Sequence, residues 1–365
     1  MTPRERVKAA LAHAQPDCTP CDYFATPEIQ QGLIEHFGIG ADEPAEDRNT
    51  VAQRLGTDVR YISPPYIGPP LPEFDDGSTI NIWGIRRRPM PNEYGEYAEP
   101  VGTPYAGWKT VKEAERFDWP DPDWYDYEAI PALCRQYPEM AIAAGDFHFQ
   151  DFINGIAYGR GVEQALIDIA TEDPVFMYIR DKRFHFYQEH AERILEAGRG
   201  RIDLLLCGDD FGSQRGTLIS PATFDRLFAE KKKALFDMVH SHGALVTHHC
   251  CGSSRALIPR FIQCGMDSLQ TIQTRAAGMD PYELKAEFAG QIALHGAVDV
   301  QGWLQRASVE QIEGEVNRLM DEVGAGGGLI IAPSHQIQPD TPLENVLAFY
   351  RTVARRRGTK LPGDE

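Results

Sequence analysis

Residues 245–252 have the sequence LVTHHCCG, in which a short apolar run ends in four potential metal ligands and a glycine. The run is too short for a stable helix and indicates a buried strand. Because side chains alternate between the faces of a strand, His249 and Cys251 point to one face, and their neighbours His248 and Cys250 to the other. A His and a Cys on one face at the end of a buried strand can supply half of a tetrahedral zinc site.

The composition limits the classes of partner. The chain has 365 residues, of which 42% are hydrophobic, and a formal net charge of −18. So acidic a chain is a poor partner for nucleic acid, because phosphate binding requires a basic surface. No apolar run reaches the ~18 residues of a membrane span, and no secretory signal is visible. We therefore expect a cytoplasmic protein with free thiols and a small-molecule substrate, which binds neither nucleic acid nor membrane.

Short apolar runs alternate with amphipathic segments along most of the chain, which predicts βα units and a mainly parallel sheet. Together with the opening stretch, the strand candidates are residues 19–24, 59–63, 140–144, 203–207, 268–272, 291–294 and 329–332. Eight such strands predict an α/β fold, a (β/α)8 TIM barrel, formed as a single domain over residues 1–365. A doubly wound open sheet is the alternative, although the first βα turn lacks a glycine-rich phosphate fingerprint.

The segment Pro64–Gly107 breaks this alternation. It is rich in proline, glycine and aromatic residues, and residues 81–85 (NIWGI) are a candidate for a short strand. Loops of this length in compact domains are usually lids or extensions with a function. We therefore expect a long insertion after the second strand, whose tyrosines and tryptophans line the mouth of the barrel.

Polar and ionisable residues follow nearly every predicted strand. In such barrels the carboxyl ends of the strands form the active-site face. The residues expected there are Asp22, Asp146, His148, Asp209, Asp210, Gln214, His249, Cys251, Gln270, Gln273, His295, Asp299 and His335. Any one carboxylate could simply cap the following turn, but capping alone explains the whole set poorly. Asp210 stands out, because the glycine-flanked acidic turn of residues 208–214 (GDDFGSQ) adds nothing to a core.

A catalytic zinc site needs a third protein ligand. His335, after the last strand, is the strongest candidate, followed by His295 and then Cys264. One thiolate with imidazoles favours zinc over magnesium or calcium. The alternative is that His249 and Cys251 are an ordinary buried pair.

The remaining strand-end residues are assigned to catalysis and substrate binding. The predicted catalytic residues are Asp210, Asp146 and His295. The predicted substrate-binding residues are Gln214, Gln270 and Asp299. The carboxylates could hold a cationic group, or donate protons if burial raises their pKa.

Several motifs together resemble the uroporphyrinogen decarboxylase-like superfamily, in order along nearly the whole chain. They are residues 4–11 (RERVKAAL), 16–20 (PDCTP), 208–214 (GDDFGSQ), 219–221 (ISP), 249–252 (HCCG), 278–281 (GMDP), 295–299 (HGAVD) and 337–345 (IQPDTPLEN). The resemblance implies a (β/α)8 barrel. Residues 22–26 (DYFAT) stand where true decarboxylases carry an Arg-Gln-Ala-Gly-Arg stretch. The zinc-dependent methyltransferases of the methylcobamide:coenzyme M type use a His-x-Cys pair, matched by His249 and Cys251, and a distant Cys, whose place His335 takes.

The chain is therefore predicted to be closer to these methyltransferases than to true uroporphyrinogen decarboxylases. The resemblance implies zinc held by His249, Cys251 and His335, and methyl transfer between a small-molecule thiol, ether or amine and a corrinoid. No corrinoid-binding domain is visible, so the corrinoid would be carried by a partner protein. Two alternatives stay open: a metal-independent decarboxylase of a small acid or tetrapyrrole-like substrate using strand-end carboxylates, and a barrel that binds a corrinoid or tetrapyrrole without turnover. A homodimer is common in the superfamily.

Overall fold

The centre of the computed structural model, which describes residues 1–40 and 47–364, is a curled sheet of seven parallel strands. The strands in chain order are β1 (Val59–Ile62), β2 (Thr79–Ile80), β3 (Arg86–Asn92), β4 (Gly95–Pro100), β5 (Ala141–Gly145), β6 (Leu204–Gly208), β7 (Leu245–His249), β8 (Ser268–Ile272), β9 (Ala293–Val298) and β10 (Leu329–Pro333). The parallel sheet has the order β1-β5-β6-β7-β8-β9-β10. Its strands are short, mostly buried apolar runs, as expected where both faces of a parallel sheet are covered.

Helices connect the strands of the parallel sheet. In chain order they are α1 (Pro3–Leu11), α2 (Pro27–Phe37), α3 (Arg48–Arg54), α4 (Val111–Ala114), α5 (Ile130–Gln136), α6 (Asn154–Arg160), α7 (Val162–Thr171), α8 (Pro174–Gly198), α9 (Pro221–Leu227), α10 (Ala229–Ser241), α11 (Ile258–Cys264), α12 (Pro281–Phe288), α13 (Val309–Arg318) and α14 (Leu343–Arg356). Side-chain caps start two of them: the Ser220 side chain accepts from Thr223 N–H at α9, and Ser308 forms a capping box with Gln311 at α13.

Seven of the eight predicted strands are present, with bounds shifted by at most a few residues. The first candidate, residues 19–24, instead makes a single parallel bridge between Cys21 and Ile331 of β10. On its other side, the Cys21 carbonyl accepts a hydrogen bond from Asp58 N–H, directly before β1, at 2.9 Å. This segment therefore lies between the two edge strands of the sheet.

The predicted insertion contains a small antiparallel sheet of order β2-β3-β4. Strands β3 and β4 form a hairpin, and most of its residues are exposed or half-buried. The short strand expected at residues 81–85 is absent, because the Asn81 side chain accepts from the backbone N–H groups of Trp83 and Ile85 and folds this stretch into a turn.

Two buried apolar clusters show which end of the sheet is closed. The smaller one joins Val7 and Leu11 of α1 to strand residues that include Val59, Leu204 and Ile330. Helix α1 thus packs against the amino-terminal ends of the strands. The larger cluster joins the outer faces of the strands to the helices. The carboxyl ends of the strands are left as the face where a site can form.

Two further observations concern the state of the cysteines and the length and polarity of the helices. All seven cysteines are free, as predicted. Over the described ranges, every helix is too short or too polar to traverse a bilayer.

Candidate metal centre

Strand β7 presents its two histidines to opposite sides. His248 is fully buried against the ring of Phe261, 4.6 Å between ring centroids. His249 faces the carboxyl end of the sheet, where its ring lies 4.6 Å from that of Phe147. The alternation carries into the following loop, because Cys250 is fully buried and Cys251 is half-buried. The predicted division of the four residues into two pairs is confirmed.

His249, Cys251 and His335 come together at this end of the sheet. One ligand atom from each residue lies within 4.8 Å of those of the other two. The Cys251 Sγ atom is 3.2 Å from His249 Nε2. One thiol and two imidazoles at this spacing fit a tetrahedral zinc ion that keeps its fourth position open. Within the described residues, these three side chains form a group of His, Cys, Asp or Glu residues that could together hold a metal ion.

Gln270 fixes the orientation of the His249 ring. The two residues are partners in the register of β7 and β8. The Gln270 Oε1 atom lies 2.7 Å from His249 Nδ1. A carbonyl oxygen can only accept, so Nδ1 carries the proton and the lone pair of Nε2 is directed toward Cys251. Such a partner on the non-ligating nitrogen is typical of histidines that bind metals.

The electrostatics of the three candidate ligands favour neutral side chains. Burial, and then the nearby Asp210 carboxylate, raise the pKa of the Cys251 thiol well above its usual value. Burial, followed by the neighbouring His249, lowers the pKa of His335 to about 4. A neutral imidazole is the form that binds a metal. A divalent cation would reverse the preference of the thiol, because a coordinated thiol loses its proton.

The loops after β6 and β7 hold Asp210 and Cys251 against each other. Asp210 Oδ1 accepts from Cys251 N–H at 2.8 Å, and Oδ2 accepts from the Asn154 side chain at 2.8 Å. The backbones meet at two glycines: a Cβ on Gly212 would lie 2.4 Å from the Cys251 carbonyl oxygen, and one on Gly252 2.6 Å from the carbonyl oxygen of Ser213. Gly252 also has a φ of +74°, a conformation that glycine adopts without strain.

A cavity of about 920 Å³ opens onto this cluster. Asp210, His249 and His335 lie in its wall, together with Phe147 and His148 from the loop after β5. The β3–β4 hairpin forms the opposite wall through residues that include Tyr97. The cavity has the size usual for small-molecule sites. Residues of the β3–β4 hairpin therefore line this cavity.

The other predicted site residues lie apart from the three ligands. His295 is fully buried, with its Nε2 atom 3.1 Å from Asp22 Oδ2. Asp146 is exposed and accepts from His148 N–H. Asp299 pairs with Arg275 at 2.6 Å. Gln214 is exposed, and its backbone carbonyl accepts from Ala277 N–H.

Several residues near the site had no role in the sequence argument. Asn154, at the start of α6, holds Asp210, and Phe147 packs on the His249 ring. Gln270 was predicted to bind substrate, and its contact with His249 was not foreseen. Its place at the end of the strand next to β7 was the available signal, because strand neighbours lie side by side.

Comparisons with known proteins give the wider context. The model of the "Uroporphyrinogen decarboxylase (URO-D)" family matches residues 159–356, and this match confirms the resemblance seen in the sequence. Two curated relatives are similar to part of the chain, both called methylcobamide:CoM methyltransferase MtaA. The one from Methanosarcina barkeri is 27% identical over 187 residues, which are 51% of this chain and 47% of the relative. The one from Methanosarcina barkeri strain Fusaro is 28% identical over 163 residues, 44% of this chain and 43% of the relative.

The chain thus spans about half the length of the curated relatives that it matches. A solved structure, described as a methyltransferase from Methanosarcina mazei, superposes with a TM-score of 0.66 at 18% identity. That superposition covers 97% of this chain and 99% of the other. At this identity the likeness concerns the fold, and it extends over nearly the whole chain.

Proposed function

This chain belongs to the uroporphyrinogen decarboxylase family, and within that family we propose that it is a zinc-dependent methyltransferase. It would move a methyl group between a small-molecule thiol, ether or amine and a corrinoid carried by a partner protein. The observation that carries the proposal is the convergence of His249, Cys251 and His335, of which the two histidines line a cavity. The names of the curated relatives, which describe methyl transfer from methylcobamide, support the class of reaction.

The residues present fit zinc. Cys251 would supply the thiolate and the two histidines neutral imidazoles, and Gln270 holds the His249 tautomer that such binding needs. Bound zinc would supply a Lewis acid that polarises a substrate heteroatom or lowers the pKa of a thiol. His335 stands where the superfamily pattern has a cysteine. The ligand set would then carry one negative charge instead of two, which leaves the metal more electrophilic.

Asp210 is the side chain placed to handle a proton. Its Oδ1 atom lies 3.6 Å from His249 Nε2, and the carboxylate reaches the same cavity. A thiol that accepts a methyl group must lose a proton, and an ether or amine that donates one must gain a proton or a charge. A carboxylate beside the reacting heteroatom can take or return that proton. The catalytic roles of Asp146 and His295 and the substrate roles of Gln214 and Asp299 stay predictions.

The architecture beneath this proposal is a closed (β/α)8 barrel formed as one domain over residues 1–365. The hydrogen bonds of Cys21 to both edges of the sheet support closure. In such a barrel the strand ends form one mouth. The long segment between β1 and α4 would then be an insertion that covers this mouth.

Metal analysis tests the proposal. We expect about one zinc ion per wild-type chain by inductively coupled plasma mass spectrometry, and loss of zinc in His249→Ala, Cys251→Ala and His335→Ala. Cys250→Ala is the matched control, because this thiol faces the core. Methyl transfer is then followed by the absorbance change of methylcobalamin with candidate thiols, in wild type and Asp210→Asn. Wild-type protein without zinc, or zinc that all three variants retain, would refute the proposal.

A further inference from the structure

A second cavity, of about 530 Å³, adjoins the one that holds the metal ligands. The two share Arg87, His148 and Tyr158 in their walls. The loop after β5 separates them, since Phe147 lines the metal cavity and Phe149 lines the second one. A molecule that occupied the second cavity would thus lie directly beside the metal ligands.

Aromatic rings form much of this second cavity. Trp83 lies 5.6 Å from Tyr187 and 5.2 Å from Phe186, and Phe149 lies 4.8 Å from Tyr187, all between ring centroids. Tyr125 completes this part of the wall. Rings at these distances can pack face to face or edge to face with a flat ligand. The cavity therefore favours aromatic ligands over branched aliphatic ones.

Arg183 of α8 brings a buried positive charge to the same cavity. Its residue is 2% exposed, and its guanidinium stacks 4.2 Å above the Trp83 ring. Nε donates to the Asp151 carbonyl at 2.9 Å, but within residues 1–40 and 47–364 the Nη groups make no hydrogen bond. A Cβ on Gly155 would lie 2.2 Å from Nη2, so the glycine leaves room for this guanidinium. Gly155 and Trp83 thus shape the position of the Arg183 guanidinium.

Among the described residues no carboxylate forms a direct ion pair with Arg183, although, against the opposing effect of burial, His148 and then Arg183 lower the pKa of Asp151. Asp151 uses Oδ1 to accept from Asn154 N–H, and its Oδ2 lies 3.5 Å from His148 Nδ1. Asp146 also lines the cavity, but it is exposed and accepts from His148 N–H. A buried guanidinium without an anionic partner costs free energy, which an anion of the ligand would recover.

We propose that the second cavity binds the carboxylate of a planar aromatic molecule through the Nη groups of Arg183, with the ring against Trp83 and Tyr187. The planar guanidinium matches a carboxylate in two parallel hydrogen bonds. The ligand class rests on the proposed function in one respect: the aromatic carboxylate is then the substrate whose heteroatom reaches the metal cavity past His148. Binding itself does not depend on the metal.

Isothermal titration calorimetry with benzoate and its neutral analogue benzamide tests the proposal. Wild-type protein should bind benzoate more tightly than benzamide. Arg183→Gln should weaken benzoate binding roughly 10- to 100-fold, the loss of a charge-assisted pair, and leave benzamide binding unchanged. Arg193→Gln is the matched control on the same helix, because Arg193 pairs with Asp123 and Glu189 at the surface. Equal benzoate affinity in wild type and Arg183→Gln overturns the proposal.

A second measurement keeps the test decisive if Arg183→Gln folds poorly. In wild-type protein, nuclear Overhauser contacts are expected between benzoate ring protons and the Trp83 indole, and their absence overturns the proposal. His249→Ala separates the two hypotheses, because it should lose zinc but bind benzoate as wild type does. Failure of zinc binding in wild type would thus refute the proposed function alone, whereas failure of benzoate binding would refute this inference alone.

Discussion

Two His–Cys pairs lie side by side on one stretch of chain and have opposite surroundings. His249 and Cys251 face a cavity, where their ligand atoms are 3.2 Å apart and His335 lies close by. His248 and Cys250 face the core, where both are fully buried. The Nε2 atom of His248 is buried without a hydrogen-bond partner in the described structure. The same residue types thus form a candidate metal site on one face of the strand and pack in the core on the other.

The difference shows that a third candidate ligand, His335, distinguishes the two pairs, whose residue types are the same. Burial lowers the pKa of His248 well below its usual value, so that ring stays neutral as well. It could donate a lone pair to a metal, but among the described residues it belongs to no group of three side chains that could hold an ion. His249 and Cys251 have His335 as a third candidate ligand, and Gln270 orients the His249 imidazole.

The largest expected effect separates the two cysteines. Cys251→Ser should lose stoichiometric zinc, because a neutral hydroxyl replaces the thiolate, whereas Cys250→Ser should keep it. The zinc content of both variants, purified side by side, measures this. Zinc loss from both variants to the same degree would mean that the two faces of the strand are not distinct.

A smaller effect is expected at Gln270. Gln270→Ala removes the acceptor that holds the His249 tautomer, and should weaken zinc binding by roughly 10- to 100-fold. Gln270→Glu keeps an acceptor at the same place and should bind zinc about as well as wild type. Competition with a chromogenic chelator measures both affinities. Unchanged affinity in Gln270→Ala would show that the hydrogen bond does not orient the ligand.

The core-facing histidine should affect stability but not metal. His248→Ala removes a buried ring and leaves a cavity, so the free energy of unfolding should fall by about 2–4 kcal/mol. Urea unfolding of the zinc-loaded protein measures this fall, and metal analysis should show unchanged zinc. If zinc were lost while the unfolding midpoint stayed the same, the assignment of His248 to packing would be wrong.

The smallest effect is expected at His190, another histidine packed among rings. Burial, and then Arg193, lower its pKa to about 4. The unfolded chain binds this proton near pH 6.5, so stability is full above that pH and is lost as the pH falls toward 4. The loss should be roughly 1–3 kcal/mol in metal-free protein. His190→Phe should flatten this part of the stability profile, and an unaltered slope would contradict the shift.

The sequence predicted the sheet well because its strands are apolar runs of fixed length with helices between them. Residues 268–272 were located to the residue for this reason. The first candidate differs because it holds Pro20, which has no N–H to donate, and its neighbours on both sides supply only isolated bonds. The strand predicted at residues 81–85 is absent because the Asn81 side chain accepts hydrogen bonds from two backbone N–H groups. Apolar periodicity does not reveal such a turn.

The candidate site was predictable only in part. Strand alternation was enough to select His249 and Cys251, and the end of the last strand was enough to select His335. Side-chain direction after a strand was not predictable, and Asp299 turns away to pair with Arg275. Arg183 was missed because it lies inside a long helix, although a charge on the buried stripe between Ile179 and Tyr187 was a visible anomaly.

The close contact between Gly212 and Gly252 fixes one side of the candidate metal site, where Cys251 lies. The side formed by His335 is less constrained. Cys251 is pinned through its backbone, and His249 is clamped by Gln270. The His335 side chain makes no hydrogen bond in the described structure. It is therefore the least constrained of the three candidate ligands. An ion with longer bonds, such as cadmium, would be accommodated by moving the loop after β10. If these residues bind a metal, we expect the loop after β10 to determine which ionic radii the site tolerates.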